Sequence, residues 1–471
     1  MGSAKWQIAG GSAPACGKCD DNDDGYGGCV LGFNVRFTPG KSVLKSGARR
    51  LFSFPKLISK LGLIYLLSVS FMILSVLAVN LIPNDLIQRN LRRSLPSENY
   101  SVLFGSSPTD QWAECMGATV GINYELRLIE RSLLSPVLGN CEGSWKFLKM
   151  ESLHTGFNYW RYWHGSQIIM RPALTMMSVL DVRALTFFLF ASSFMFAFLA
   201  LYGHGLHLTG LAMFAGLFCV NLQSALFVLP HAMDWVIGFL ACGWIVRKLN
   251  GNVPISMNGF SCAFFCVGLL SAFFGSLINP VLTLTIPLFG VFWVIAFQKE
   301  KGAVGNFVLV LAATCFWFIG YAASWSTKWL LAAFLVGVDT VSTQILEVVK
   351  FRLGGPSGTD EITWTYSFIS VIREIWVGGI FTIACLIVSI VPLVRFVKMI
   401  ERKWSDLSSF VFICALPFIW FAALRNHTIV HPWFVSAGLY TSFAMVFSFL
   451  LTSWAVHSSS SVGIGRGRRL D

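Results

Sequence analysis

A succession of apolar runs, each about 20 residues long, limits this chain more than any other feature. A helix of that length crosses ~30 Å of hydrocarbon with its backbone hydrogen bonds made internally. Ten such windows are read near 57–82, 184–203, 208–229, 233–247, 258–278, 280–297, 304–324, 375–397, 407–424 and 433–456. The runs are continuous rather than alternating, which excludes a transmembrane barrel. Composition agrees: of 471 residues, 55% are hydrophobic and 12% charged, with a mean hydropathy of +0.66. A soluble chain carries about a quarter charged residues and could not hide this much apolar surface. The expected fold class is therefore all-α, a polytopic transmembrane helical bundle of about 10 spans. This apolar excess excludes a soluble enzyme, a disordered protein and a nucleic-acid reader, and the net charge of +12 is not clustered on a soluble domain as a nucleic-acid patch would be.

Orientation follows from Lys and Arg beside the spans. Lys45, Arg49, Arg50, Lys56 and Lys60 precede the first window, which predicts a cytoplasmic N-terminus. Alternation then puts Arg247–Lys248, Lys299–Lys301, the cluster from Arg395 to Lys403, and Arg466, Arg468 and Arg469 on the same side. This holds only if 326–374 does not cross the bilayer an odd number of times. That segment is therefore expected on the extracytoplasmic face as an interfacial or re-entrant element, interrupted by Asp339, Gln344 and Glu347. Residues 1–48 read as a disordered cytoplasmic tail, 49–456 as the membrane domain, and 457–471 as a cytoplasmic tail. The loop 84–183 is the large extracytoplasmic one. The first window is too long and too far in for a cleavable signal, so it is expected to remain as an anchor.

Several local signals are weak. Seven of the twelve cysteines fall in spans as small apolar fillers, whereas Cys115 and Cys141 share the outer loop and could form a disulfide in an oxidising compartment. Cys16 and Cys19 lack an evident fourth zinc ligand, and the Asp20–Gly25 run ends in Leu31 where a calcium loop needs Glu. Asn99-Tyr100-Ser101 is a glycosylation sequon on the outer face.

More informative is where the versatile side chains fall. Asp110, the run Tyr159 to Ser166, Arg171, His231, Asp234, Trp325, Lys328, Arg352, Asn426, His427 and His431 all map to the extracytoplasmic face under this topology. Ionisable groups near a membrane are costly unless they serve something. Their one-sided gathering is what an outward-opening active site would show. The bland reading of Arg161, Trp160 and Trp163 is an interfacial belt, and Lys328 beside Trp325 and Trp329 could snorkel. His427 and His431 are four apart and would share a helix face, a metal-ligand spacing that Pro432 argues against.

Tyr159-Trp160-Arg161-Tyr162-Trp163-His164-Gly165, then Arg171-Pro172-Ala173-Leu174, and Asn426-His427-Thr428 with His431 resemble the motifs of a family of polytopic membrane proteins, mostly bacterial. Thr109-Asp110 and Gly320-Tyr321 with Trp325 and Lys328-Trp329 are similar to further blocks of that family. The resemblance runs from about residue 50 to 450; Val435-Ser436-Ala437 departs from it where a Thr-Tyr-Arg ending is expected. The architecture resembles the GT-C glycosyltransferases, although the paired acids typical just after their first span are missing.

That resemblance implies a sugar moved from a polyprenyl-phosphate donor to a glycan, lipid or protein acceptor on the outer or luminal face of a bacterial inner membrane or eukaryotic endomembrane. Asp110 is then the candidate base, with His164 and His427 as further catalytic candidates. Arg171, Lys328 and Arg352 are candidates for the phosphate. Arg161, Trp163, Trp325, Asn426 and His431 complete the expected substrate site. No cofactor is implied with certainty; a divalent metal ion is the one candidate. The alternative reading is a transporter or flippase of a lipid-linked or anionic substrate, which the nearly charge-free midplanes and the absence of internal repeats count against.

Overall fold

The computed structural model describes residues 54–94, 111–123, 125–138, 157–249, 257–275, 277–298, 306–354, 364–378 and 404–464. The tail 1–48, the Asn99 sequon, Thr109, Asp110, Cys141, 379–397 of the eighth apolar window and 465–471 lie outside the described residues.

The described chain is helical apart from one short strand pair. It opens with α1 (Phe54–Asn80), α2 (Asn84–Ser94), α3 (Gln111–Thr119) and α4 (Leu128–Leu134). Strands β1 (Pro136–Val137) and β2 (Phe157–Asn158) then pair antiparallel, Val137 opposite Phe157. Next come α5 (Gln167–Met176), α6 (Val179–Gly203), α7 (His207–Leu217), α8 (Gln223–Phe227), α9 (Leu229–Leu249), α10 (Met257–Phe274) and α11 (Pro280–Gln298). The rest is α12 (Asn306–Val336), α13 (Val338–Gly354), α14 (Trp364–Gly378), α15 (Trp404–Ala423), α16 (Arg425–Val430), α17 (Pro432–Val435), a 3-10 turn (Ser436–Leu439) and α18 (Tyr440–Ile464).

Among the described residues, six stretches are long and apolar enough to cross a membrane: Pro55–Asn80, Val179–Gly203, Leu229–Leu249, Met257–Phe274, Phe307–Val336 and Pro432–Trp454. His207–Leu217, Pro280–Ala296 and Leu407–Ala423 are apolar but shorter. The fold is thus all-α, and its apolar helices are those of a multi-pass membrane protein.

Two expectations need correcting. The window 208–229 is not one helix: α7 ends at Leu217, and α8 starts only at Gln223, after Asn221 has turned its Oδ1 to the Gln223 N–H. The window ending at 324 continues without a break to Val336, because the polar groups that suggested an end are satisfied inside the fold. Thr327 donates to Ala323 O, and the buried Lys328 Nζ donates to Leu133 O at 2.6 Å. The break falls instead at Gly337, whose φ of 90° suits a residue without a Cβ. Trp325 and Lys328, expected just beyond the seventh span, therefore belong to that long apolar helix.

Packing follows the rules of helices in lipid, where close backbone approach replaces hydrophobic driving force. α10 and α12 meet through Gly268 and Gly320: a Cβ on either would overlap a backbone oxygen of the other helix, Trp317 O or Phe265 O. α9 is the most enclosed span, with every residue from Leu229 to Phe239 buried.

Around α3 and α5, charged groups act as staples. Arg171 is 1% exposed, and its guanidinium donates to Val79 O, Val120 O, Ile82 O and Asn84 Oδ1 at 2.8–3.1 Å. It ties the end of α1 and the start of α2 to the end of α3. Glu114 and Arg183 join α3 to α6. Cys115 is disulfide-bonded, while Cys141 is not among the described residues.

Candidate functional site

Residues from α3, the β2–α5 loop, the starts of α9 and α16, and the end of α13 surround one cavity of about 310 Å³. Its wall on one side is Ala113, Met116 and Gly117 of α3; on another it is Tyr159, Arg161, Tyr162 and His164 of the loop. His231 opens α9, Phe351 and Arg352 end α13, and His427, His431 and Phe434 come from α16 and α17. Segments remote in sequence thus place two guanidinium groups and four imidazoles around one space, and no carboxylate lines it among the described residues.

His164 sits at φ 56°, a left-handed conformation that turns its ring back under the loop. The ring lies against Tyr159 and Tyr162, centroids 5.4 and 6.0 Å away. Burial, reinforced by the nearby positive charges of Lys328 and Arg161, drops its pKa to about 3, while its bond to Tyr159 O pulls the other way. The imidazole is therefore neutral. A carbonyl only accepts, so Nε2 carries the proton donated to Tyr159 O at 3.2 Å, and Nδ1 is left as an acceptor.

His427 is set in the same way. Its Nε2–H donates to Leu277 O at 2.9 Å, and its Nδ1 is buried without a hydrogen-bond partner among the described residues. The His431 ring lies 5.1 Å from it. Burial pushes the Tyr159 phenol well above its usual range, so it keeps its proton.

The cations are differently held. Arg161 lies 4.6 Å over the Tyr159 ring, a cation–π contact that steadies the side chain while leaving donors in its plane. Arg352 has its Nε and Nη1 buried without partners among the described residues. Buried guanidinium nitrogens without acceptors are costly, and a planar anion accepting from both removes the cost. Chemically, the cavity suits a phosphate or carboxylate bearing hydroxyl groups, with the imidazole Nδ1 atoms receiving hydroxyl protons.

Of the residues expected from sequence, the structure brings Arg161, His164, Arg352, His427 and His431 to this cavity. It leaves others out. Arg171 and Lys328, expected at the phosphate, are spent on backbone carbonyls; burial lowers Arg171 to about 10, still charged at neutral pH. Trp163 is buried, donates to Ser324 O and carries Lys328 Nζ 5.4 Å from its ring. Trp325 borders a smaller cleft with Trp160, Trp329, Gln344, Ile345 and Val348, which Arg161 shares. Asn426 is buried and does not line the cavity. Asp110 lies outside the described residues, one position before α3 in sequence.

Sequence reasoning missed Tyr159, Tyr162, Phe351 and Phe434 as lining groups, and grouped His231 with the outer-face residues without assigning it to the site. The two tyrosines stood in the motif; nothing in the sequence marks Phe434. Among the described residues no three His, Cys, Asp or Glu side chains are disposed to hold a metal ion, and His427 Nε2 is turned to Leu277 O.

No protein-family model, curated protein or solved structure matches this chain.

Proposed function

We propose that this protein is an integral membrane glycosyltransferase of the GT-C kind, moving a sugar from a polyprenyl-phosphate donor to an extracytoplasmic or luminal acceptor. The observation that carries the reading is the cavity, where Arg161 and Arg352 converge with neutral His164 and with His427 at the edge of an apolar bundle. The motif resemblance supports it as well.

In the transfer, an acceptor hydroxyl oxygen attacks the anomeric carbon. The bond from that carbon to the phosphate oxygen breaks, and polyprenyl phosphate leaves with the electron pair. Arg161 and Arg352 hold the phosphate as its charge grows, the kind of electrostatic help that is usually the largest catalytic contribution. The hydroxyl proton goes to a base. Asp110 keeps its place as candidate from the motif, and His427 Nδ1 is an acceptor already free to receive it. Tyr159 and Tyr162 line the cavity beside these groups.

Purified protein with a panel of polyprenyl-phosphate sugars and acceptors tests this. The expected result is loss of one sugar mass from a donor lipid, matched by gain on an acceptor. One observation favours transport instead: Asp234, an acid buried inside a span beside a helix break. Donors that cross a proteoliposome bilayer intact, with no sugar moved, would replace the transfer reading by that one.

A further inference from the structure

Asp234 does not line the cavity, yet it is 0% exposed in the first turns of α9, within an apolar span. What it does there is visible at the break between α10 and α11. Its Oδ2 accepts the Asn279 N–H at 2.9 Å. That N–H stands just before Pro280 at the start of α11, among the donors a helix leaves without partners and where negative charge is favoured. Its Oδ1 lies 2.6 Å from where a Cβ on Gly275 would be, so the carboxylate occupies the space a side chain at 275 would need.

Between Gly275 and Asn279, Leu277 adopts φ 59°, a left-handed conformation that leucine takes only under constraint. The carbonyl of this strained residue is the one that receives His427 Nε2–H. The Asn279 side chain also reaches across to Phe434 O, beside the His427 ring. A continuous path therefore runs from Asp234 through Asn279 and Leu277 to the imidazole. If the Asn279 N–H were no longer held, Leu277 could relax toward negative φ, and its peptide plane would turn its oxygen away from His427. The ring would then lose the acceptor that decides which nitrogen carries the proton.

We propose that Asp234 is a positioning residue for His427: it holds the α10–α11 break so that the Leu277 carbonyl keeps His427 in its Nε2–H form, with the Nδ1 lone pair available to the cavity. The use made of that lone pair rests on the transfer reading; the placement itself does not.

Full-length protein with 15N-labelled histidine, its His427 signals assigned by their loss in His427→Gln, tests the coupling. In the wild type, Nε2–H should be preferred about tenfold, the worth of one buried hydrogen bond. In Asp234→Ala the preference should fall to about unity. Asp234→Asn should retain it, because its carboxamide oxygen can still accept from Asn279. Gly275→Ala, which displaces the carboxylate without removing it, should shift the ratio in the same direction as Asp234→Ala. A folded Asp234→Ala protein with the wild-type ratio overturns the proposal; if that variant does not fold, an unchanged ratio in Gly275→Ala does so. A wild type lacking sugar transfer would sink the functional reading and leave this coupling standing, whereas an unmoved ratio would do the reverse.

Discussion

Glu114 and Arg183 form a two-pronged ion pair, Arg183 Nε to Oε1 at 2.8 Å and Nη2 to Oε2 at 2.7 Å, sealed between α3 and α6. The pair holds the helix that supplies Ala113, Met116 and Gly117 to the cavity wall. Removing one partner of a buried pair strands the other charge, at a cost of about 3–5 kcal/mol. Glu114→Ala should therefore lower stability by about that amount. Replacing both residues by apolar ones of similar size should cost much less. Denaturant unfolding in detergent, read for the single and double variants, checks the ordering.

Lys328 behaves as a staple rather than a substrate contact. Its Nζ is 2.6 Å from Leu133 O and 3.4 Å from Ser135 Oγ, in the turn leading into β1. Lys328→Met leaves that carbonyl without its donor, a loss of about 1–3 kcal/mol. The expected outcome is a lowered Tm with unchanged affinity of the folded protein for a short-chain prenyl phosphate. An unchanged Tm with lost affinity would return Lys328 to the phosphate site.

Arg352 should show the opposite pattern. Two of its nitrogens face no partner among the described residues, so Arg352→Gln removes no internal bond they make. Binding of a prenyl phosphate should weaken about tenfold or more, the worth of a charge-assisted hydrogen bond, with Tm unchanged. Titration calorimetry beside thermal unfolding separates the two effects.

His164 makes stability depend on pH in a defined window. Its folded pKa of about 3 lies below the usual value of 6.5, because burial opposes the charged ring. The unfolded chain therefore takes up the proton first. The contribution of His164 is complete above pH 6.5 and declines as pH falls from there toward 3. His164→Asn, a residue that tolerates the left-handed backbone, should flatten the loss of stability between pH 6.5 and 4 relative to wild type, and leave the slope of stability with pH between 7 and 8 as it is in the wild type. Unfolding midpoints measured across that range check it.

The spans were largely legible because a 20-residue apolar run has few alternatives in lipid. Where the reading slipped, a polar group had found a partner that sequence does not display. Lys328 looked like a helix end and is instead an interior residue bonded to a carbonyl 195 positions away. Arg171 looked like a phosphate ligand for the same reason, its four acceptors lying at the end of α1, in the turn to α2, at the start of α2 and just after α3. Of the site, the Arg161–His164 motif and the His427–His431 pair were visible as unusual polar residues in an apolar chain.

The amino-acid sequence by itself determined the solvent this chain folds in, the helical class and most of the segments that can cross a membrane. Those follow from local hydrophobicity and from the backbone's need to bond within each helix. Only the tertiary structure decided which charges face the cavity and which are consumed as staples. An arginine is the same residue in either role, and its role depends on whether carbonyls from distant segments come within about 3 Å of its nitrogens.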